Sequence, residues 1–372
     1  MVSGFLSETT APVAVRRPVF DISFGSGGGG GGLLGAAGGA LGIEGSQDPW
    51  QTNMVSFYVN CAVAPSVDIS NLLLMEKDQA HSVVIEDAGS ISLGYEDSST
   101  DLVFTAEVDS IRHDLRGTLC IGVVNGGARL SKLRVNQSYE QQNAGDIVAD
   151  LISQAGVDSE IIEDGITFPF YVVDDRKNSY QHIAALAKTS GFAAFFTPED
   201  KLYFGPLLEG EPVQTFSYAI DIMTIQMNEV SPLVDNVTII GAGAAGSQGQ
   251  EAWSWLVKDP SSVTGQAGDG EHERLLSNAS LRSGEASQAA VDAIINAAAQ
   301  TLHTGRITVP GAPAVVIGSS IEISDAPQEM LNGTCVVRGI QHCYSKHDGF
   351  ISIIDFTRAG EGGLSGGLGA LL

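Results

Sequence analysis

The stretch from Val83 to Ala155 constrains the fold more than any other part of the chain. Short apolar runs alternate there with Gly, Asp, Ser and Asn, and this pattern is typical of an antiparallel barrel or sandwich. The runs are Ile91–Tyr95, Leu102–Phe104, Val108–Ile111 and Leu119–Val123. The stretch ends differently, because Asn143 is placed to cap a helix that has one apolar face and stops at Gly156. We therefore expect strands followed by a helical module.

The distribution of apolar runs, turn residues and helix caps along the chain predicts a mainly β fold with an α+β module. In this fold, two antiparallel β-barrels flank a small α+β domain. A second helix is expected from about Ser179 to Gly191, followed by a hairpin of Phe192–Phe196 and Leu202–Phe204. The predicted divisions are a Gly-rich N-terminal extension (1–49), a first β-barrel (50–138), the α+β module (139–208), a second β-barrel (209–358) and a Gly/Leu C-terminal docking tail (359–372).

Within the second barrel the sequence predicts a polar loop over Ser247–Arg282 and an Ala-rich helix over Glu285–His303. Apolar runs predict strands in the same part of the chain, and the first barrel is expected to begin with a strand over Met54–Val63. The predicted strands of the second barrel include Ala314–Ile317, Ile321–Ile323, Cys335–Val337 and Ile351–Phe356. The sequence shows no short internal repeat.

Charge limits the classes of partner. The chain has 372 residues, of which 43% are hydrophobic, so two or three cores are expected. Its 19 basic and 44 acidic residues give a net charge of −25, which argues against charge-driven binding to nucleic acid or to anionic lipid. Simple solubility and an acidic wall along which a polyanionic cargo slides are both compatible with this excess.

The cysteines predict free thiols and assembly in the cytoplasm, because four dispersed residues do not form a disulfide framework in a chain of this length. Cys335, His342, Cys343 and His347 lie close in sequence, but adjacent residues of a strand point to opposite faces and the spacing lacks a paired C-x-x-C motif. We expect no metal site. The first residues do not resemble an export signal, and no apolar run reaches the roughly 18 residues of a membrane-spanning helix.

Two patterns in the sequence are candidates for enzyme chemistry. Residues 241–246 match the G-x-G-x-x-G pattern that binds a pyrophosphate, but no crossover helix, second parallel strand or closing acidic residue follows them. A glycine-rich turn after a strand is the favoured interpretation. Glu160, Glu163 and Asp164 lie in a polar turn, which does not suit a catalytic acid and base pair. The sequence therefore predicts a protein that is not an enzyme and has no cofactor.

Two Gly/Leu segments, at 25–45 and 362–372, stand outside this pattern. Residues this small allow backbones to approach closely where identical chains meet at an axis, whereas a flexible linker has the same composition. If the segments dock partners or line an axis, the apolar residues responsible are expected to be Leu33, Leu34, Leu41, Ile43, Leu364, Leu368, Leu371 and Leu372.

The order of these parts over residues 50–358 resembles a known family. Gly94-Tyr95 leads into Val103–Val108, the helices and hairpin of 143–204 follow, and an Ala-rich helix precedes the last strands. This arrangement is similar to the phage tail baseplate hub or late control protein D family, which is related to the hub part of valine-glycine-repeat spike proteins of contractile injection systems. The Gly-rich extension and the absence of a repetitive β-helical spike depart from that family.

The resemblance implies tube-like barrels and a homotrimer, which adapts a hexameric tail tube protein to a trimeric spike as a structural hub of a contractile tail or injection-system baseplate. Its implied partners are the tube protein, a separate spike protein and other baseplate proteins. Such a protein is assembled in the bacterial cytoplasm and becomes part of a virion or phage-tail-like particle. A non-enzymatic surface-binding or adhesin-like β protein is the alternative, followed by a nucleotide-binding enzyme that uses residues 241–246.

Overall fold

The fold of the chain is mainly β with an α+β module, as predicted. The computed structural model describes residues 16–25, 49–75, 83–207, 209–231, 235–241, 263–270, 273–300 and 302–358. The docking residues predicted in the two Gly/Leu segments, Leu33 to Ile43 and Leu364 to Leu372, lie outside these ranges. Within the described residues, no helix is long and apolar enough to cross a membrane.

The first group of strands, here called the first block, encloses an aromatic-rich core. Phe20, Phe57 and Phe104 are buried in it together with Trp50. Alternate residues of several strands face this core, as the sequence pattern predicted for Ile91–Tyr95 and Leu119–Val123. The elements are β1 (Pro18–Ile22), α1 (Pro49–Asn53), β2 (Met54–Ala62), β3 (Ile69–Met75), β4 (Ala88–Tyr95), β5 (Asp101–Asp114) and β6 (Thr118–Val124).

The α+β module follows directly, and its two longer helices begin and end as their cap residues predict. The Asp146 backbone N–H donates to Oδ1 of Asn143, and the helix stops at Gly156, whose φ of 64° is left-handed. The second of these helices stops in the same way at Gly191. The elements are α2 (Gly126–Lys132), β7 (Gln137–Asn143), α3 (Ala144–Ala155), β8 (Asp158–Ile162), β9 (Thr167–Val173), α4 (Ser179–Ser190), β10 (Ala193–Phe196) and β11 (Lys201–Gly205). The predicted hairpin is the antiparallel pair β10 and β11.

The remaining strands form a second block and an addition to the module. In chain order the elements are β12 (Pro212–Ser217), β13 (Thr224–Glu229), β14 (Asn236–Ile240), β15 (Thr264–Gly268), β16 (Glu273–Ser277), α5 (Gly284–Gln300), β17 (His303–Pro310), β18 (Ser320–Ser324), β19 (Gly333–Ser345) and β20 (Gly349–Arg358). Strands β15 and β16 each pair with β14, which lies between them. This small sheet, α5 and the segment that joins them extend the core of the module through Val237, Leu281 and Val291. The second block keeps a separate core around Phe216, Ile307 and Phe356.

Three sequence predictions in this region need correction. The predicted loop Ser247–Arg282 contains β15 and β16, because both find hydrogen-bond partners on β14. The predicted strand Ala314–Ile317 is a turn: the Val315 N–H donates to the Ala312 carbonyl, and burial of Val315 and Ile317 explains the apolar run. The Ala-rich helix ends at Gln300, and His303 already begins β17.

The two blocks are joined edge to edge, because β2 of the first block pairs antiparallel with β19 of the second. In the described part of the chain the result is one continuous sheet of 12 strands. Its main path runs β1-β4-β5-β6-β3-β2-β19-β20-β17-β13, and β18 and β12 branch from β19.

Candidate assembly interface

The two blocks have the same strand order, which the sequence did not reveal. In the first block the neighbouring strands are β2-β3-β6-β5-β4, and in the second they are β13-β17-β20-β19-β18. The chain visits the five positions in the same sequence in both blocks. Each block is therefore one copy of a common unit, built around a long hairpin of β5 and β6 or of β19 and β20.

The equivalence extends to single residues at an irregular point of the long hairpins. A β-bulge interrupts β5 between Val108 and Ser110, and another interrupts β19 between Val337 and Gly339. The Val108 N–H donates to the Asp87 carbonyl while its own carbonyl accepts from the Glu86 N–H. In the second block Val337 makes the same two bonds with residues 319 and 318. The left-handed backbone is shared as well, because φ is 71° at Glu86 and 83° at Gly318.

The junction of β2 and β19, here called the in-chain seam, shows how one unit attaches to the next. Strand β2 covers the second half of β19, from Gly339 opposite Ala62 to Ser345 opposite Ser56. Phe57 stacks on Tyr344 with ring centroids 5.2 Å apart. This arrangement seals the edge of the second block with apolar contacts and backbone hydrogen bonds.

A histidine lies inside the in-chain seam. His342 is opposite Val59 and is buried, and its Nδ1 lies 2.8 Å from Oγ of Ser352. Burial lowers the pKa of His342 to about 4, so the ring is neutral near pH 7. The imidazole therefore acts as a packed, hydrogen-bonded group within the seam.

Two other strand edges correspond to the pair that meets in the in-chain seam. Among the described residues, no strand pairs with 110–114 of β5 on the side where β19 carries β2, and β13 pairs with β17 alone. Two apolar residues beside the β5 edge are exposed: Leu115 is fully exposed and Ile85 is 50% exposed. Ile317, the counterpart of Ile85 in the second block, is only 5% exposed. An open edge presents a row of unpaired backbone N–H and C=O groups, which favours pairing with another strand.

A buried carboxyl connects the first block to the module. Asp68, in the β2–β3 loop, accepts hydrogen bonds from the Ala62 N–H and from Nδ2 of Asn125, each at 2.8 Å. Asn125 in turn caps α2 by accepting the Gly127 N–H. Desolvation by burial outweighs both hydrogen bonds and raises the pKa of Asp68 to about 8. This cluster joins the β2–β3 loop of the first block to the start of α2 in the module.

Structural contacts account for three of the residues that the sequence offers for chemistry. Gly241 follows the last residue of β14. Its N–H donates to the Val263 carbonyl, and an added Cβ would lie 1.9 Å from the Leu281 carbonyl oxygen. Residues 242–246 of the glycine motif lie outside the described ranges. Glu160 forms an ion pair with Lys201, and Oδ1 of Asp164 accepts from Nδ2 of Asn143. The described residues contain no group of His, Cys, Asp and Glu that could hold a metal ion.

Comparison with solved structures shows which proteins share this fold. The 43 kDa tail protein of prophage MuSo2 from Shewanella oneidensis aligns with a TM-score of 0.62 and 12% identity, over 82% of this chain and 94% of that one. A tail protein from Neisseria meningitidis aligns with a TM-score of 0.60 and 11% identity, over 82% and 92%. No family model and no curated protein matches the sequence.

A third solved structure comes from a secretion system. It is an E. coli component of the type VI secretion system, described as structurally similar to the phage T4 tail proteins gp27 and gp5. It aligns with a TM-score of 0.57 and 9% identity, over 86% of this chain and 76% of that one. The resemblance inferred from the sequence is thus confirmed at the level of the fold, which this chain shares with phage tail proteins.

Proposed function

We propose that this chain is the structural hub of a contractile tail or injection-system baseplate. The observation that carries the proposal is the repeated unit: two blocks of the same strand order are joined edge to edge, and within the described ranges one edge of each kind has no strand paired to it. The fold shared with tail proteins supports the same conclusion. The function is mechanical, and we propose that no residue performs covalent chemistry.

The repeated unit suits a protein that adapts one symmetry to another. Three copies of a chain with two equivalent blocks place six similar units around an axis, while the chains themselves obey threefold symmetry. A homotrimer of this kind matches a hexameric tail tube on one side and a trimeric spike on the other. We propose that the spike is a separate protein, and that other baseplate proteins bind the outer surface.

We retain the two Gly/Leu segments as partner-docking or axis-lining elements. Their candidate residues are Leu33, Leu34, Leu41, Ile43, Leu364, Leu368, Leu371 and Leu372. We propose that the hub assembles in the bacterial cytoplasm before it enters a virion or a phage-tail-like particle.

The test is the mass of the purified chain by light scattering at physiological salt, together with cryo-electron microscopy class averages of the same peak. We expect a mass of three chains and a ring with six lobes. A monomer that forms no ring, alone or with tube and spike proteins, would refute the hub.

A further inference from the structure

We propose that β13 of one copy pairs antiparallel with residues 110–114 of β5 in the next copy, in the register of the in-chain seam. This inference rests on the proposed trimer and specifies its contact. A second copy of the chain fits as occupant because the described part of each chain has one open edge on β13 and one on β5, so that a single contact, repeated, covers both. Two different mating edges form a head-to-tail contact, which closes into a ring.

The register follows from matching the two blocks along their hydrogen-bonded neighbours. In the first block the line of paired residues runs from Asn60 through Ile69 and Val124 to Glu107, two residues before the bulge of β5. In the second block the corresponding line is Asn228, Thr304, Thr357 and Val336, and Val336 again lies two residues before the bulge of β19. Asn228 of β13 is therefore the counterpart of Asn60 of β2.

The same count gives the partner positions on β5. Within the chain Asn60 lies opposite Gln341, three residues beyond the bulge residue of β19. The residue three beyond the bulge of β5 is Arg112. Asn228 of one copy is thus placed opposite Arg112 of the next, and the antiparallel register sets Gln226 opposite Asp114 and Val230 opposite Ser110.

The side chains brought together by this register are compatible. Met227 falls opposite His113, which repeats the Val59 and His342 pair of the in-chain seam. The first hairpin turns two residues earlier than the second, so Leu115 lies at its tip, beside Ile225 of the neighbouring copy. The equivalent residues of the in-chain seam, Tyr344 and Phe57, stack on each other. The register opposes no like charges, which would destabilise the strand pair.

The proposed contact also explains why an apolar residue of the first block is exposed in the single chain. Leu115 is fully exposed in the single chain, whereas its counterpart Tyr344 is partly buried by β2. The exposed Ile85 precedes Glu86 as the buried Ile317 precedes Gly318. Leu115 of the first block thus stands where Tyr344 of the second block is covered by β2, whereas Ile317 is buried in the core of the second block.

Disulfide trapping tests the register in the full-length chain. Arg112→Cys and Asn228→Cys are combined in one chain, because directly opposed residues of an antiparallel pair lie within disulfide range. The matched control combines Asn60→Cys with Gln341→Cys at the equivalent positions of the in-chain seam. The unaltered chain and the two single variants measure the background from the four native cysteines. Each protein is oxidised with copper phenanthroline in air.

We expect the Arg112→Cys and Asn228→Cys chain to shift from the mass of one chain to that of two and three chains on a non-reducing gel. The control pair should lose two free thiols without a change in mass. A trimer whose chains do not cross-link, under conditions in which the control pair closes, would overturn this register and leave the hub standing. A chain that stays monomeric with tube and spike proteins would overturn both proposals.

A second variant tests the contact without new cysteines. Leu115→Asp changes a fully exposed residue and should leave the single chain folded, but it places a carboxylate beside Ile225 of the next copy. We expect at least a tenfold weaker association in dilution series measured by light scattering. Leu275→Asp, at an exposed apolar residue of β16 in the module, is the matched control and should associate normally. Equal association of the two variants would contradict the proposed contact.

Discussion

Replacing Asp68 by Asn should change how the stability of the chain depends on pH. The carboxyl is 2% exposed and accepts hydrogen bonds from the Ala62 N–H and from Nδ2 of Asn125. Burial raises its pKa from 3.8 to about 8, so the folded protein holds a proton there at pH 7. An asparagine is neutral at every pH. It can accept only one of the two hydrogen bonds, a loss of about 1 kcal/mol that does not vary with pH.

The sign of the effect follows from proton binding. Below the unfolded pKa of 3.8, both states hold the proton and the wild-type residue contributes its full stability. Between that value and about 8 only the folded state holds it, so the free energy of unfolding falls by about 1.4 kcal/mol per pH unit. The difference between wild type and Asp68→Asn should therefore shrink or reverse by about 3 kcal/mol between pH 5 and pH 7.

Urea unfolding followed by tryptophan fluorescence and circular dichroism, at pH 5, 6, 7 and 8 and at one protein concentration, measures this difference. Subtracting the variant removes the contribution of the other carboxylates. Asp158→Asn, on the exposed surface of β8, controls for the loss of one acidic residue. If the difference between wild type and Asp68→Asn varied by less than about 0.5 kcal/mol from pH 5 to pH 7, the buried carboxyl would not hold its proton as argued.

Four further substitutions test local structure by urea unfolding. Gly318→Ala should lower the free energy of unfolding by about 1–2 kcal/mol, because the backbone of Gly318 is left-handed. Glu86→Gly at the equivalent position should change it by less than about 0.5 kcal/mol, since relief of backbone strain offsets the flexibility of glycine. Equal losses of stability in the two variants would contradict the equivalence of the two positions. Gly241→Ala should cost about 1–3 kcal/mol through the clash with the Leu281 carbonyl, and an unchanged midpoint would refute the close approach. Asn178→Ala should remove the capping box with Gln181 and cost about 1 kcal/mol, so a neutral result would show that the cap adds nothing to α4.

Local signals made parts of this fold predictable. Asn143 and Gly156 mark the ends of α3 through bonds to residues within one turn, so a single sequence contains the whole signal. Alternation located β4, β5 and β6 for the same reason, whereas β1 and β3 were not predicted. The apolar run Ala314–Ile317 misled the prediction, since burial alone does not distinguish a strand from a packed turn.

The repeated unit could not be predicted, because its two copies share geometry and not residues. Glu86 and Gly318 occupy one backbone position with different side chains, and the two bulges carry Asp109 and Arg338. Strands β15 and β16 were missed because their stability comes from pairing with β14 and not from an alternating pattern. The one sequence signal of the repeated unit is its pair of long strands, each of which is followed by a short turn and a second strand.

The in-chain seam also has a consequence for the order of folding. Its two strands, β2 and β19, lie on either side of the whole module in the sequence, so their pairing closes a very long loop. Contacts between residues so far apart form late and slow the search for the native state. During synthesis the edge of β2 stays open until the final hairpin leaves the ribosome, and chains at high concentration can pair wrongly in that interval. Slow production at low temperature should therefore raise the yield of native chain.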